Sequence, residues 1–127
     1  MDLANKRIVV LGGTSGIGFA VAQKAADQGA AIVVASSKED NVNRAKKLLS
    51  GTAEGVTLDL TSEESIKSFF GRIGEFDHLV YTAGESLLTE PLETLSLERA
   101  RKFFDIRFWG AFQSTVHRLS GGADPSC

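Results

Sequence analysis

The feature that most constrains the fold is a glycine-rich turn between a short apolar segment and a helix-like segment. The run Arg7–Leu11 is β-branched, which is typical of a strand buried on both faces of a parallel sheet. Gly12, Gly16 and Gly18 follow at once and open a segment, residues 16–28, that is rich in alanine. Bare backbone N–H groups and the helix dipole at such a turn favour a phosphate. The turn therefore predicts nucleotide binding, and a tight turn without a ligand is the alternative.

Strand-like and helix-like segments alternate along the chain. Residues 31–35, 55–58 and 78–82 have the character of further buried strands. A helix between the first two has an inner face formed by Val42, Ala45, Leu48 and Leu49. The next helix carries apolar residues at helical spacing, from Ile66 to Ile73, behind a capping box of Thr61 and Glu64. Repeated βαβ units predict an α/β fold, a doubly wound (Rossmann-type) parallel sheet of about four strands with helices on both faces.

The last third of the chain is predicted as a loop, a helix and a tail. Residues 85–95 contain Pro91 and lack periodicity, and a helix is expected to begin near Ser96. Its aromatic residues face more than one side, so it needs burial on two surfaces. They are Phe103, Phe104, Phe108, Trp109 and Phe112. Residues 120–127 are polar and turn-rich and are predicted to be disordered, which gives one incomplete domain over residues 1–119.

Three motifs give the chain a family resemblance over residues 5–115. The spacing Gly12-x-x-x-Gly16-Ile17-Gly18 resembles the glycine pattern of short-chain dehydrogenases/reductases. Asp59-Leu60 resembles the family's aspartate that hydrogen-bonds the adenine amino group, and Tyr81-Thr82-Ala83-Gly84 is similar to the family's Asn-Asn-Ala-Gly. The resemblance implies an NAD(P)-dependent oxidoreductase that passes a hydride between nicotinamide and a carbonyl or alcohol carbon. Without it, Asp59 and Ala83-Gly84 could be ordinary turn residues.

The candidate cofactor-binding residues all follow predicted strands. They are Gly12, Thr14, Ser15, Gly16, Ile17, Gly18, Ser36, Ser37, Lys38, Asp59, Leu60, Ala83 and Gly84. Ser36 stands where an NAD enzyme of the family usually carries an aspartate, so NADP is preferred over NAD. Ser36, Ser37 and Lys38 can bind a 2′-phosphate. Capping of the second helix, by Ser36 with Glu39 or Ser37 with Asp40, is the competing interpretation.

No catalytic residue is assigned in this chain. The family's serine, tyrosine and lysine would follow in the next strand and helix, and the single tyrosine, Tyr81, is followed four residues later by Glu85. Leu11, Tyr81-Thr82 and Arg107 replace a threonine and asparagines of the family pattern, which indicates a divergent member. The alternative is a non-catalytic dinucleotide-binding module. A methyltransferase is disfavoured by the glycine spacing and by Ser36-Ser37-Lys38.

Composition excludes several partners. The net charge of −2 with no basic run argues against nucleic acid and against an anionic membrane. No apolar stretch reaches about 20 residues, no secretory segment is visible, and a cytoplasmic location is expected. His78 and His117 have no ligand cluster near them, so no metal is expected. An unpaired fourth strand and the aromatic helix predict a homo-oligomer.

Overall fold

The computed structural model describes residues 2–84 and 91–121, and describes side chains as far as residue 118. Four strands alternate with helices in the first part of the chain. The strands are β1 (Arg7–Leu11), β2 (Ala31–Ser36), β3 (Glu54–Thr57) and β4 (His78–Tyr81). The helices are α1 (Gly16–Asp27), α2 (Glu39–Leu48), α3 (Glu63–Ile73), α4 (Leu97–Phe104), a π-helical turn (Asp105–Gly110) and α5 (Ala111–Gly121). Within this part of the chain, no helix has the length and apolar character needed to cross a membrane.

The four strands form one parallel sheet in the order β3-β2-β1-β4. In its register, Val9 is opposite Val33 on one side and Leu79 on the other. Chain order reverses between β1 and β4, because β2 and β3 lie on one side of β1 and β4 on the other. This is the doubly wound arrangement predicted from the sequence, and the reversal opens a crevice at the carboxyl ends of β1 and β4.

Each face of the sheet has its own apolar core, because successive strand residues point to opposite faces. Val9 and Leu11 of β1 pack with α3, which contributes Ile66, Phe69 and Phe70. The alternate β1 residues, Ile8 and Val10, pack on the other face with residues of α1 and α2. These two layers are buried, so the strands are fixed in position and the turns at their carboxyl ends start from a rigid base.

Local helix starts differ from the sequence prediction in two places. Ser62, not Thr61, is the N-cap of α3, and its side chain accepts a hydrogen bond from the Ser65 N–H. Thr61 instead donates its hydroxyl to Asp59, 2.6 Å away, so it belongs to the turn after β3. The predicted box with Glu64 is therefore wrong.

The second difference concerns α2. Its N-cap is Lys38, which makes no side-chain capping hydrogen bond, so neither predicted serine cap forms. The Ser36 hydroxyl accepts the Lys38 N–H at 3.4 Å before the helix starts. At the other end, Leu49 is buried as predicted, whereas Leu48, also predicted to face inward, is 59% exposed because it lies away from the helix face formed by Val42 and Ala45.

The predicted single aromatic helix is divided. It begins as expected, with the Ser96 side chain capping α4, but the six residues Asp105–Gly110 form a π-helical turn before α5. Helix α5 packs against α3 and continues to Gly121, so residues 120 and 121 are helical rather than part of the predicted tail. Residues 85–90 of the predicted loop and residues 122–127 of the tail lie outside the described residues.

Candidate functional site

The predicted site residues lie along the carboxyl edge of the sheet. The glycine turn (residues 12–18) follows β1, Ser36, Ser37 and Lys38 end β2 and start α2, Asp59 and Leu60 follow β3, and Ala83 and Gly84 follow β4. Since the strands are parallel and in register, these segments are neighbours in the same order as the strands. The edge therefore offers a continuous surface from the end of β3 to the end of β4.

The glycine turn and the end of β4 are in close backbone contact. A Cβ added to Gly12, whose φ is +87°, would lie 2.6 Å from the Ala83 nitrogen. A Cβ on Gly18 would collide with the carbonyl oxygen of Gly12 and with the hydroxyl of Thr82. A Cβ at Gly12 would push the turn away from the end of β4, and a Cβ at Gly18 would push α1 away from the turn and from Thr82. Packing therefore requires glycine at both positions, and the positive φ of Gly12 favours glycine there as well.

Helix α1 begins at this turn without a competing anion. Gly16 starts the helix with a φ of +56°, and no atom lies within 4 Å of the position its Cβ would take. Ser15 is the N-cap, yet its side chain makes no capping hydrogen bond, and the first turn of α1 contains no acidic residue. Ile17 is 77% exposed beside it, whereas Thr14 is buried. An open helix N-terminus of this kind can accept a phosphate group.

The end of β2 combines hydroxyl groups with one positive charge. Ser36 is half-buried, and its carbonyl accepts the Leu58 N–H at 2.9 Å, which ties the ends of β2 and β3 together. Ser37 and Lys38 are exposed. Glu39 and Asp40 follow in the first turn of α2, where they complement the helix dipole. The two serine hydroxyls and the lysine can bind a phosphate, but the two carboxylates reduce the local positive potential.

Asp59 is held in one orientation by Thr61. One oxygen of its carboxylate, Oδ1, accepts the Thr61 hydroxyl at 2.6 Å and the Thr61 N–H at 2.9 Å. These two hydrogen bonds, the hydroxyl first, keep the pKa of Asp59 below its usual value. The residue is exposed, so an ionised and oriented carboxylate faces the edge of the sheet. Such a group can accept a hydrogen bond from an amino group.

Tyr81 joins β4 to the π-helical turn. Its hydroxyl donates a hydrogen bond to the Ile106 carbonyl, and a Cβ on Gly110 would lie 2.6 Å from the same hydroxyl oxygen. Burial raises the pKa of Tyr81 to about 12. The phenol is therefore neutral at ordinary pH and acts as a hydrogen-bond donor that links β4 to the turn.

Arg107, in the same turn, lies against the end of β4. A Cβ on Gly84 would lie 2.8 Å from its Nη1 and 2.9 Å from its Cζ, so the guanidinium covers the glycine backbone. Arg107 occupies a position at which the family that the chain resembles usually has an asparagine. The structure puts a permanent positive charge at the β4 end of the carboxyl edge.

Thr82 is the site residue that the sequence analysis did not list. Its hydroxyl lies 3.3 Å from both the Leu11 and the Gly12 carbonyl oxygens, and its N–H donates to the Leu11 carbonyl at 2.9 Å. Thr82 therefore links the glycine turn to β4. Its hydroxyl can take the place of the one lost at Leu11, where the family pattern has a threonine. Thr82 could have been identified from the sequence by its position directly after β4, the strand that lies beside β1.

No group of three or more potential metal ligands occurs among the described residues.

Comparison with known proteins identifies the family. The family model for short chain dehydrogenases matches residues 6–120. The chain belongs to the short-chain dehydrogenase family. A short-chain dehydrogenase/reductase of Acremonium sp is 39% identical over 132 residues, which covers 91% of this chain and 50% of that protein. A second, from Gibberella fujikuroi, is 33% identical over 122 residues and covers 84% of this chain and 46% of that protein.

Solved structures agree with the family assignment. A short chain dehydrogenase/reductase family protein superimposes with a TM-score of 0.89 at 25% identity, over 95% of this chain and 51% of that one. The short-chain dehydrogenase described here thus spans about half the length of the relatives it matches. The fold and family predicted from the sequence are confirmed.

The first prediction concerns the close contact at Gly18. Gly18→Ala should lower the free energy of unfolding by about 1–3 kcal/mol, because the added methyl group must displace backbone and the Thr82 hydroxyl. Gly71→Ala is the matched control: Gly71 lies in α3 with no atom within 4 Å of its Cβ position. There the change should raise stability by about 0.5–1 kcal/mol. Denaturant unfolding measures both, and equal effects at the two sites would contradict the packing argument.

The second prediction uses the single tyrosine of the chain. Absorbance titration of the phenolate should give a midpoint near a pH of about 12 in the folded protein. In denaturant it should lie near about 10, the unperturbed value. Because the folded-state pKa is raised, stability is complete below the unfolded pKa and declines as pH rises toward the folded one. Tyr81→Phe should abolish the signal, and a folded midpoint near that of the denatured chain would show that Tyr81 is not buried as described.

Proposed function

We propose that this chain binds NADP(H) as the cofactor-binding part of a short-chain oxidoreductase, which transfers a hydride between nicotinamide and a carbonyl or alcohol substrate. The observation that carries the proposal is the glycine turn. It brings the open N-terminus of α1 to the crevice between β1 and β4, and Gly16, with no atom within 4 Å of its Cβ position, leaves room for a close approach to the backbone. A pyrophosphate at that position would receive backbone N–H donors and the positive end of the helix dipole.

The order of the strands suggests how a dinucleotide would lie on this edge. With the pyrophosphate at the glycine turn, the adenosine half would extend over β2 and β3. There Ser36, Ser37 and Lys38 are available to a 2′-phosphate and Asp59 to the adenine amino group. The nicotinamide half would extend toward Ala83 and Gly84 on the opposite side. The ionised, oriented carboxylate of Asp59 supports this assignment, because an acceptor is what an amino group requires.

The preference for NADP rests on the lack of an acidic side chain at the end of β2. Residues 36–38 carry no carboxylate, so a phosphate there meets two hydroxyls and an ammonium group. An acidic residue at Ser36 would repel it. Glu39 and Asp40 lie in α2, further along the chain. We therefore propose NADP over NAD, and a cytoplasmic location stays a prediction from the sequence.

We propose that hydride transfer requires groups that residues 1–127 do not contain. The family's tyrosine is followed four positions later by lysine, whereas Tyr81 is followed by Glu85 and its hydroxyl is bonded to the Ile106 carbonyl. What this chain supplies is binding and orientation of the cofactor. The chain alone is expected to be inactive.

Cofactor titration tests the proposal. Trp109 fluorescence with NADPH and NADH should show binding of both, with NADPH favoured. Lys38→Gln should lower the affinity for NADPH by about three- to tenfold, because one exposed positive charge near the 2′-phosphate is lost. The affinity for NADH, which has no 2′-phosphate, should not change. Lys47→Gln, an exposed lysine in the last turn of α2, is the matched control.

The outcomes separate the alternatives. Equal affinities for NADPH and NADH would mean that residues 36–38 do not recognise the 2′-phosphate. Binding of neither would overturn the proposed function for this chain. Tight binding that persists in a longer gene product lacking a downstream Tyr-x-x-x-Lys motif would favour the non-catalytic dinucleotide-binding module.

We also propose that the exposed aromatic residues from the end of α4 to the start of α5 form a contact between two copies of the chain. Phe104, Phe108, Trp109 and Phe112 are each between 52% and 58% exposed. Trp109 contacts Phe108 and Phe112 edge to face, with ring centroids 4.9 and 6.3 Å apart. This is a contiguous apolar surface of the kind that marks an interface. Val116 of α5 is a further exposed apolar residue of the same segment.

Sedimentation velocity at micromolar concentration should show a dimer or larger species. Phe108→Glu should shift the chain toward monomer, because a carboxylate cannot be buried in an apolar contact without a large cost. Leu92→Glu should not, since Leu92 is 84% exposed but lies outside the aromatic segment. A monomeric parent chain, or the same shift in both variants, would contradict the assignment of the interface.

A further inference from the structure

Two departures from the family pattern, Tyr81 and Arg107, are parts of one structural unit. The Tyr81 hydroxyl binds the carbonyl of Ile106, the residue immediately before Arg107, and packs against Gly110 at the end of the π-helical turn. Ser114 fixes the same turn from the other side by donating its buried hydroxyl to the Gly110 carbonyl at 2.7 Å. The backbone that carries Arg107 is therefore held to β4 and to α5.

This arrangement fixes where the charge of Arg107 lies. The guanidinium covers Gly84, with Nη1, Cζ and Nη2 at 2.8, 2.9 and 3.1 Å from the position that a Cβ would take. Gly84 follows β4, on the side of the glycine turn away from β2 and β3. The carboxyl edge thus carries a lysine toward its β2 end and an arginine at its β4 end.

We propose that Arg107 makes this chain favour the reduced cofactor, NADPH, over the oxidised form, NADP⁺. The inference rests on the proposed function, which directs the nicotinamide half of the dinucleotide toward Ala83 and Gly84. The oxidised nicotinamide ring carries a positive charge and the reduced ring carries none. A permanent cation on Gly84 repels the oxidised ring and leaves the reduced ring unaffected. The phosphates and the adenosine are the same in both forms, so the difference is confined to this end of the edge.

The expected consequence is a preference for one direction of the reaction, the reduction of the substrate. An oxidoreductase that holds NADPH more tightly than NADP⁺ is loaded for reduction of a carbonyl group and releases its oxidised cofactor readily. The asparagine that the family usually has at the position of Arg107 is neutral and would give no such bias. The preference is therefore a property of this chain's own substitution.

Calorimetric titration of the chain with NADPH and with NADP⁺ tests the inference, and the measured quantity is the ratio of the two dissociation constants. Arg107→Gln should reduce the preference for NADPH over NADP⁺ by about three- to tenfold, the effect of one charge at an exposed site. Arg107→Lys keeps the charge and should retain the preference. Arg72→Gln is the matched control, because Arg72 is exposed in the last turn of α3, at the opposite edge of the sheet.

The results distinguish this inference from the proposed function. If NADPH binds selectively over NADH but Arg107→Gln leaves the NADPH-to-NADP⁺ ratio unchanged, the proposed function stands and the inference is wrong. If Arg107→Lys loses the preference as fully as Arg107→Gln, the packing of the guanidinium on Gly84 matters and its charge does not, which also overturns the inference. If neither form of the cofactor binds, both proposals fail. Circular dichroism of each variant confirms that it is folded.

Discussion

The structure depends on the close backbone approach between the turn after β1 and the end of β4. Gly12 and Gly18 leave no room for a Cβ against Ala83 and Thr82, and Thr82 returns its hydroxyl to the carbonyl oxygens of β1 and of the turn. Because α1 starts within this contact, the direction of its dipole is set by the same atoms that join the two central strands. The N-terminal end of α1 is consequently held by the same contacts as the sheet, so the phosphate proposed to bind there would bind with little ordering cost.

The distribution of polar and charged groups along the carboxyl edge follows from the order of the strands in the sheet. Residues distant in sequence, such as Ser36 and Gly84, come to one edge because every strand is parallel and β2 and β4 flank β1. Polar groups that could bind adenosine and its phosphate are on the β2 and β3 side, and the arginine is on the β4 side. In the proposed dinucleotide complex, the reversal of chain order at β1 would therefore separate recognition of the adenosine half from recognition of the nicotinamide half.

The sequence predicted the parts of this arrangement that depend on local pattern. The four strands, their doubly wound parallel arrangement and the starts of α1 and α4 could be predicted, because buried β-branched runs, glycine turns and helix caps are patterns of neighbouring residues. The predicted cap of α3 was wrong by one residue, because threonine and serine are both good N-caps. In the structure Thr61 donates its hydroxyl to Asp59, and Ser62 caps the helix. The π-helical turn was not predicted, and its contact with Tyr81 joins residues 29 positions apart in the sequence, which a local pattern does not reveal.

The same distinction explains why the unusual residues were noticed before they could be interpreted. Arg107 stood out against the family pattern, but a helical arginine with aromatic neighbours has no evident partner in a linear sequence. The position of Arg107 is explained by Tyr81, which also replaces a residue of the family pattern. The Tyr81 hydroxyl donates a hydrogen bond to the carbonyl of Ile106, the residue before Arg107. A buried phenol with a raised pKa is a stable neutral donor, so this hydrogen bond keeps the π-helical turn in place at any ordinary pH. Substituting the guanidinium alone would change the charge on Gly84, whereas removing the phenol hydroxyl would release the backbone that positions that charge. The two departures from the family pattern therefore have separate physical effects on one site: Tyr81 determines its geometry and Arg107 its electrostatics.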